Sequence, residues 1–147
     1  MSKAKQIIFL VILALLFSVG LAGFYLYNNE GPDIENANAA KVAAASLYAS
    51  FTNDSAAAKK LYLDKILEVT GEVTLVTKNQ QAQSVILLKT ATSGASVNCT
   101  LERSITNITA GSKVTIKGIC SGLGQGDADM GMAPDVYLSR CYVVPSF

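Results

Sequence analysis

Residues 7–27 read IIFLVILALLFSVGLAGFYLY, 21 consecutive uncharged and mostly apolar positions. As a helix rising ~1.5 Å per residue they extend about 31 Å, one hydrocarbon thickness. Lys3 and Lys5 precede the run, while Glu30, Asp33 and Glu35 follow it. The positive-inside rule then keeps the N-terminus in the cytoplasm and exports the remainder. Tyr25 and Tyr27 stand where an interfacial aromatic belt belongs. A cleaved signal peptide is the competing reading, with Ala37-Asn38-Ala39 as a distant A-x-A site, although its apolar core is usually only about 7–15 residues. Leu21-Ala22-Gly23 opens like a lipobox, but Phe24 stands where the lipid-bearing Cys would be. The reading taken is an uncleaved single-pass anchor over 1–27 in the cytoplasmic (inner) membrane, with a linker over 28–38 and a periplasmic or extracytoplasmic domain over 39–147.

Composition removes several functions. The chain has no His, so a Ser-His-Asp or Cys-His nucleophile, a Cys/His zinc site and a haem-His site are all excluded. Half of the 147 residues are apolar, which excludes disorder throughout. Beyond the two N-terminal lysines stand ten basic and eleven acidic residues, too even a balance to steer a polyanion.

The exported part changes period along its length. From Ala39, Val42, Leu47 and Phe51 fall on one helical face, with Tyr48 beside them and Asn38 as the expected N-cap. Thr52-Asn53-Asp54 breaks the pattern, and Ser55–Tyr62 reads as a second short helix. From Leu67 to Leu75 the apolar residues share one parity and the polar ones the other, a half-buried strand in which Gly71 marks a bulge or bend. Further strands follow at 84–89, 95–101, 113–121 (with Gly118 inside) and 136–143. The expected fold is therefore an all-β core with N-terminal helices: a five-stranded OB-like barrel preceded by a transmembrane helix.

The blocks Lys65-Ile66-Leu67-Glu68-Val69-Thr70-Gly71-Glu72-Val73, Val97-x-Cys99, Gly111-x-x-Val114-x-Ile116-Lys117-Gly118-x-Cys120-x-Gly122 and Val136-x-Leu138-x-x-Cys141 carry a resemblance. Over residues 40–145 the chain resembles the tRNA_anti-like family, OB-fold domains of bacterial exported and lipoprotein-like proteins. The resemblance implies the fold and little about function. The missing lipobox Cys departs from lipid-anchored members.

Cys99, Cys120 and Cys141 lie 21 residues apart on the third, fourth and fifth expected strands. In an OB barrel the fifth strand runs between the third and fourth, so Cys141 could reach either partner. An oxidising compartment favours one disulfide and one free thiol. Cys120–Cys141 is the expected pair, with Cys99–Cys141 the alternative. No Cys-x-x-Cys spacing supports a three-thiolate metal site, and neither metal nor cofactor is expected.

The loop from Gly122 to Asp135 joins the last two strands, where OB folds commonly border their binding face. Its candidate ligand-binding residues are Gln125, Asp127, Asp129, Met130 and Met132. Asp127-x-Asp129-x-Gly131 resembles the opening of a calcium loop but lacks the later carboxylates, so no cation site is expected. Glu68 and Glu72 lie ~13 Å apart along one strand, too far for a glycosidase pair, and read as a solvated face. The second and third strands hold no aromatic residue on which bases could stack. The functional expectation is a membrane-anchored, non-catalytic binding or assembly module with an envelope protein, peptide or glycan as partner. The alternative is an oligonucleotide-type, nucleic-acid-binding OB domain.

Overall fold

The computed structural model describes residues 2–28, 31 and 33–145. Glu30 and Pro32 of the polar stretch after the apolar run lie outside the described residues. Two units are present, divided between Asp33 and Ile34.

The first unit is α1 (Lys3–Asn28), whose most apolar window has a mean hydropathy of 2.8. Leu, Ile, Val and Phe cover every side of it and none of its residues is buried. It is long and apolar enough to cross a membrane, and a signal sequence meets the same description.

The second unit runs β1 (Ala40–Ala43), α2 (Ala44–Asn53), α3 (Ser55–Tyr62), β2 (Ile66–Lys78), β3 (Ser84–Lys89), β4 (Ser96–Leu101), β5 (Lys113–Leu123) and β6 (Val136–Val144). Strands β2-β3-β4-β6-β5 pair in that order and β5 pairs back onto β2, closing a five-stranded barrel. β4–β6 is its parallel seam and the other barrel pairs are antiparallel. This is the OB topology expected from the strand pattern. Leu67, Val69, Ile86, Leu88, Val97, Ile116, Val136 and Leu138 fill the interior, all at 1% exposure or less.

Helix α2 buries Ala44, Leu47, Tyr48 and Phe51, the i, i+3, i+4, i+7 stripe of a one-faced helix. It touches β2, β3, β4 and β6 and so lies across one mouth of the barrel. Gly71 is bare beneath it: a Cβ there would come 3.0 Å from the Ala44 Cβ and 3.3 Å from the Leu88 Cβ. Asp54 ends α2 and caps α3, its carboxylate accepting from the Ala57 N–H at 3.1 Å. The rings of Phe51 and Tyr62 meet at 6.2 Å and join the two helices.

Four expectations are corrected. The helix begins at Ala44, because Ala40–Ala43 instead pairs in parallel with Leu67–Thr70 as a short sixth strand. Asn38 therefore does not cap it; Ala43 holds the N-cap position without a side-chain hydrogen bond. The bulge in β2 lies between Val73 and Leu75, whereas Gly71 sits in unbroken register with Val114. Finally, the second unit starts inside the stretch read as linker: Ile34 is 1% exposed, and the Lys117 ammonium donates to the carbonyls of Glu35 (3.1 Å) and Ala37 (2.9 Å). Glu68 stands in register between Lys41 on β1 and Lys117 on β5, and Glu72 opposite Lys113, which makes this side of the barrel a surface of alternating charge.

Candidate functional site

The bulge in β2 decides which residues face outward on the far side of the barrel. Val73 points inward, but the extra residue turns Leu75 out, leaving it 50% exposed. Leu75 pairs with Leu87, Leu87 with Asn98, and Asn98 with Tyr137. These four residues form one row across β2, β3, β4 and β6. Tyr137 is 42% exposed, and its ring lies over bare backbone: a Cβ on Gly124 would fall 2.4 Å from that ring. Lys89 and Ser96 pair at one margin of the face, Val85 and Thr100 at the other.

Two loops flank the row. The β2–β3 turn is held by the Asn79 side chain, whose carbonyl accepts from the Gln81 and Gln83 N–H groups at 3.0 Å each. The β5–β6 loop returns to the sheet through two contacts. The Asp135 carbonyl accepts from the Gly124 N–H, and its carboxylate accepts from the Ser96 N–H, both at 2.8 Å.

The five loop residues singled out in the sequence are all exposed. Four gather in one hairpin tip. Asp127 and Met132 exchange backbone bonds of 2.9 and 2.8 Å, and the Asp127 carboxylate accepts from the N–H groups of Asp129 (3.0 Å) and Met130 (3.1 Å). Asp127 is thus engaged in holding the turn. Among the described residues no group of three or more His, Cys, Asp or Glu is placed to hold a metal ion. Met130 and Met132 are 69% and 57% exposed, and Gln125 lies on the incoming arm. Gly126 lets the arms approach, since a Cβ there would meet the Met132 carbonyl at 2.6 Å.

Leu75, Leu87, Asn98 and Tyr137 were not singled out in the sequence. Tyr137 was legible from the alternation Val136-x-Leu138. Leu75 was not, because it shares parity with the buried Val73.

Cys99, Cys120 and Cys141 are all buried thiols. Cys120 stands opposite Leu138, and the Cys99 thiol donates to the Val97 carbonyl at 3.9 Å. Burial pushes the Cys120 thiol above its ordinary 9.0. The neighbouring Cys99 thiol, followed by burial, raises the Cys141 thiol as well.

Two depressions lie elsewhere on the barrel. One of about 400 Å³ involves Thr70, Ile108, Lys113, Thr115 and Pro145, and one of about 250 Å³ involves Glu35, Arg103, Ser104, Ile105, Cys141 and Tyr142. Arg103 borders the second, 3.7 Å from the Glu35 carboxylate and 5.7 Å from the Tyr142 ring centre.

Among solved structures, the chain is similar to the aspartyl-tRNA synthetase of Entamoeba histolytica, at 14% identity over 56% of this chain and 19% of that one, with a TM-score of 0.37. It is also similar to a putative aspartyl-tRNA synthetase of Leishmania major Friedlin, at 9% identity over 80% of this chain and 22% of that one, with a TM-score of 0.43. The chain spans about a fifth of the length of these proteins. No curated protein matches it. The OB assignment rests on its own strand order and pairing. The tRNA_anti-like family model matches residues 1–130, taking in α1 and ending inside the β5–β6 loop, and the chain belongs to that family.

Proposed function

We propose that this protein is a membrane-anchored, non-catalytic binding or assembly module whose OB barrel works on the extracytoplasmic side. The observation that carries the binding reading is the outward row Leu75–Leu87–Asn98–Tyr137 beside the methionine-bearing hairpin tip. Apolar area, one amphipathic aromatic and an amide in a line fit a protein segment or a glycan, whose recognition uses stacking and neutral hydrogen bonds. The anchor reading is supported by the 26-residue α1 and by Lys3 and Lys5 ahead of its apolar core. The cytoplasmic membrane is the location that follows, with the N-terminus inside.

The non-catalytic reading rests on chemistry. The sequence lacks the imidazole that most neutral-pH proton transfer uses, and the row of the outward face brings together no acid–base pair. The nucleic-acid reading keeps one supporting observation, the exposed Tyr137 ring, on which a base could stack. Lys89 at the margin of the face and Lys78 at the end of β2 are little cationic charge for following a phosphate backbone.

The test is crosslinking in intact cells with the full-length protein, followed by purification. It is repeated with Tyr137→Ala and with the Gly122–Pro134 loop shortened. A discrete envelope protein or glycan that is captured by the native chain and lost from both variants is the expected result. Recovery of nucleic acid that depends on Tyr137 would transfer the assignment to the alternative.

A further inference from the structure

We propose that Cys99 and Cys141 are a disulfide-forming pair that staples β4 to β6, with Cys120 remaining a free thiol. The inference adds a covalent site to the barrel, and its occurrence in cells rests on the extracytoplasmic reading above.

The geometry of the parallel seam brings the pair together. Cys99 is in register with Leu138 and Leu101 with Cys141, so two steps on β4 match three on β6. The extra residue of β6 is taken up at a bulge where Arg140 has φ 51°, in the left-handed region. Without the bulge, Cys141 would have the opposite parity to Leu138 and point outward. With it, Cys141 turns inward beside Cys99, and both are 0% exposed. β5 makes room for the sulfur: a Cβ on Gly118 would stand 2.5 Å from the Cys141 Sγ. The Cys99 thiol is near enough to act on the Cys141 thiol, whereas Cys120 faces Leu138 across the other seam. Cys141 is also among the residues that line the 250 Å³ depression beside Arg103 and Tyr142.

The oxidant is a small or protein disulfide of the envelope. One protein thiolate attacks the oxidant's S–S bond, forming a mixed disulfide and releasing one oxidant thiol. The second protein thiolate then displaces the remaining oxidant sulfur. One S–S bond forms in the protein and one breaks in the oxidant. The two protein thiols give up two protons and two electrons, and the oxidant leaves as two thiols. The neighbouring Cys99 thiol and then burial hold the folded Cys141 thiol protonated, so exchange proceeds while the seam is open during folding.

Arg103, Lys113, Lys117 and Arg140 place the three cysteines on separate tryptic peptides. Cells producing the full-length protein are quenched in acid, alkylated without reductant and digested. In parallel, the full-length protein purified in detergent is reduced, then held with oxidised glutathione at a urea concentration within its unfolding transition. The expected result in both samples is a Cys99–Cys141 linked peptide accounting for most of the Cys141, with Cys120 alkylated. Cys120→Ala should keep the link and Cys99→Ala should abolish it. If the link forms with glutathione but not in cells, the pair stands and the extracytoplasmic placement falls. If both samples show free thiols, or a link through Cys120, the proposal is overturned.

Discussion

Gly118 offers a sharp test of how the barrel is packed. Its backbone is not in the left-handed region, so alanine can adopt it, and the main obstacle is a neighbouring side chain. The added methyl carbon would stand 2.5 Å from the Cys141 Sγ and 3.1 Å from the Ser139 carbonyl oxygen. Ordinary contact distances are about 3.5–4.0 Å, so the overlap with sulfur is roughly 1 Å. Cys141 is fully buried and held by the β6 bulge, so the sulfur has nowhere to swing. Overpacking of this kind costs about 1–3 kcal/mol, and reduced freedom of the unfolded chain returns roughly 0.4–1 kcal/mol. The expected net loss is about 1–2 kcal/mol. Cys141→Ala removes the obstructing sulfur and costs roughly 1 kcal/mol as a small cavity. In the double variant the new methyl occupies the vacated space, and the two changes should couple favourably by about 1 kcal/mol or more. Urea unfolding of residues 34–147 under reductant, followed by circular dichroism, reads these differences. A slope of about 1–2 kcal/mol/M would shift the Gly118→Ala midpoint by roughly 1 M. If Gly118→Ala loses the same stability in the Cys141→Ala background, the clash is not with that sulfur and the account of the seam is wrong.

Other consequences can be measured on the same unit. Phe51→Ala should destabilise it by about 3–5 kcal/mol, because the ring is 1% exposed and joins α2 to α3 through Tyr62; a loss under 1 kcal/mol by urea unfolding would mean that α2 is not an integral plug. Lys117→Ala should release the 35–37 turn, speeding amide exchange there and lowering stability by roughly 1 kcal/mol; unchanged exchange at residues 34–38 would refute the clamp. The Cys120 and Cys141 thiols are raised in the folded, reduced state, so the unfolded chain ionises first. Stability should be level below pH 8 and fall as pH rises past the ordinary value of 9.0. Urea midpoints measured from pH 7 to pH 10.5 in reductant should show this decline, and Cys120→Ala with Cys141→Ala should flatten it.

Much of the fold was legible because its strands are short and half-buried. Alternation placed β3 over 84–89 and gave β4, β5 and β6 to within two residues, and Ser55–Tyr62 matched α3 at both ends. Where the reading failed, pairing overrode local pattern. Ala40–Ala43 has the composition of a helix start, yet the edge of β2 recruits it as a strand, a choice no local propensity encodes. Val73 and Leu75 share parity in the sequence and part only because β2 bulges between them. The same kind of irregularity in β6 turns Cys141 inward although it has the opposite parity to the buried Leu138. The candidate face suffered most, since a row drawn from four strands exists only once register is known. The hairpin tip was easier to find, its residues being contiguous.

Barrel closure has a kinetic consequence. The β2–β5 seam joins residues 66–72 to residues 113–119, and the β4–β6 seam joins 97–101 to 136–141. Few of these pairings form locally, which places the unit among roughly millisecond-to-second folders instead of microsecond ones. β6 fills the slot between β4 and β5, so until it arrives each of those strands presents an open row of amides and carbonyls. Docking of β6 therefore closes the barrel and covers both of those edges in one step, removing two sites at which neighbouring copies could pair.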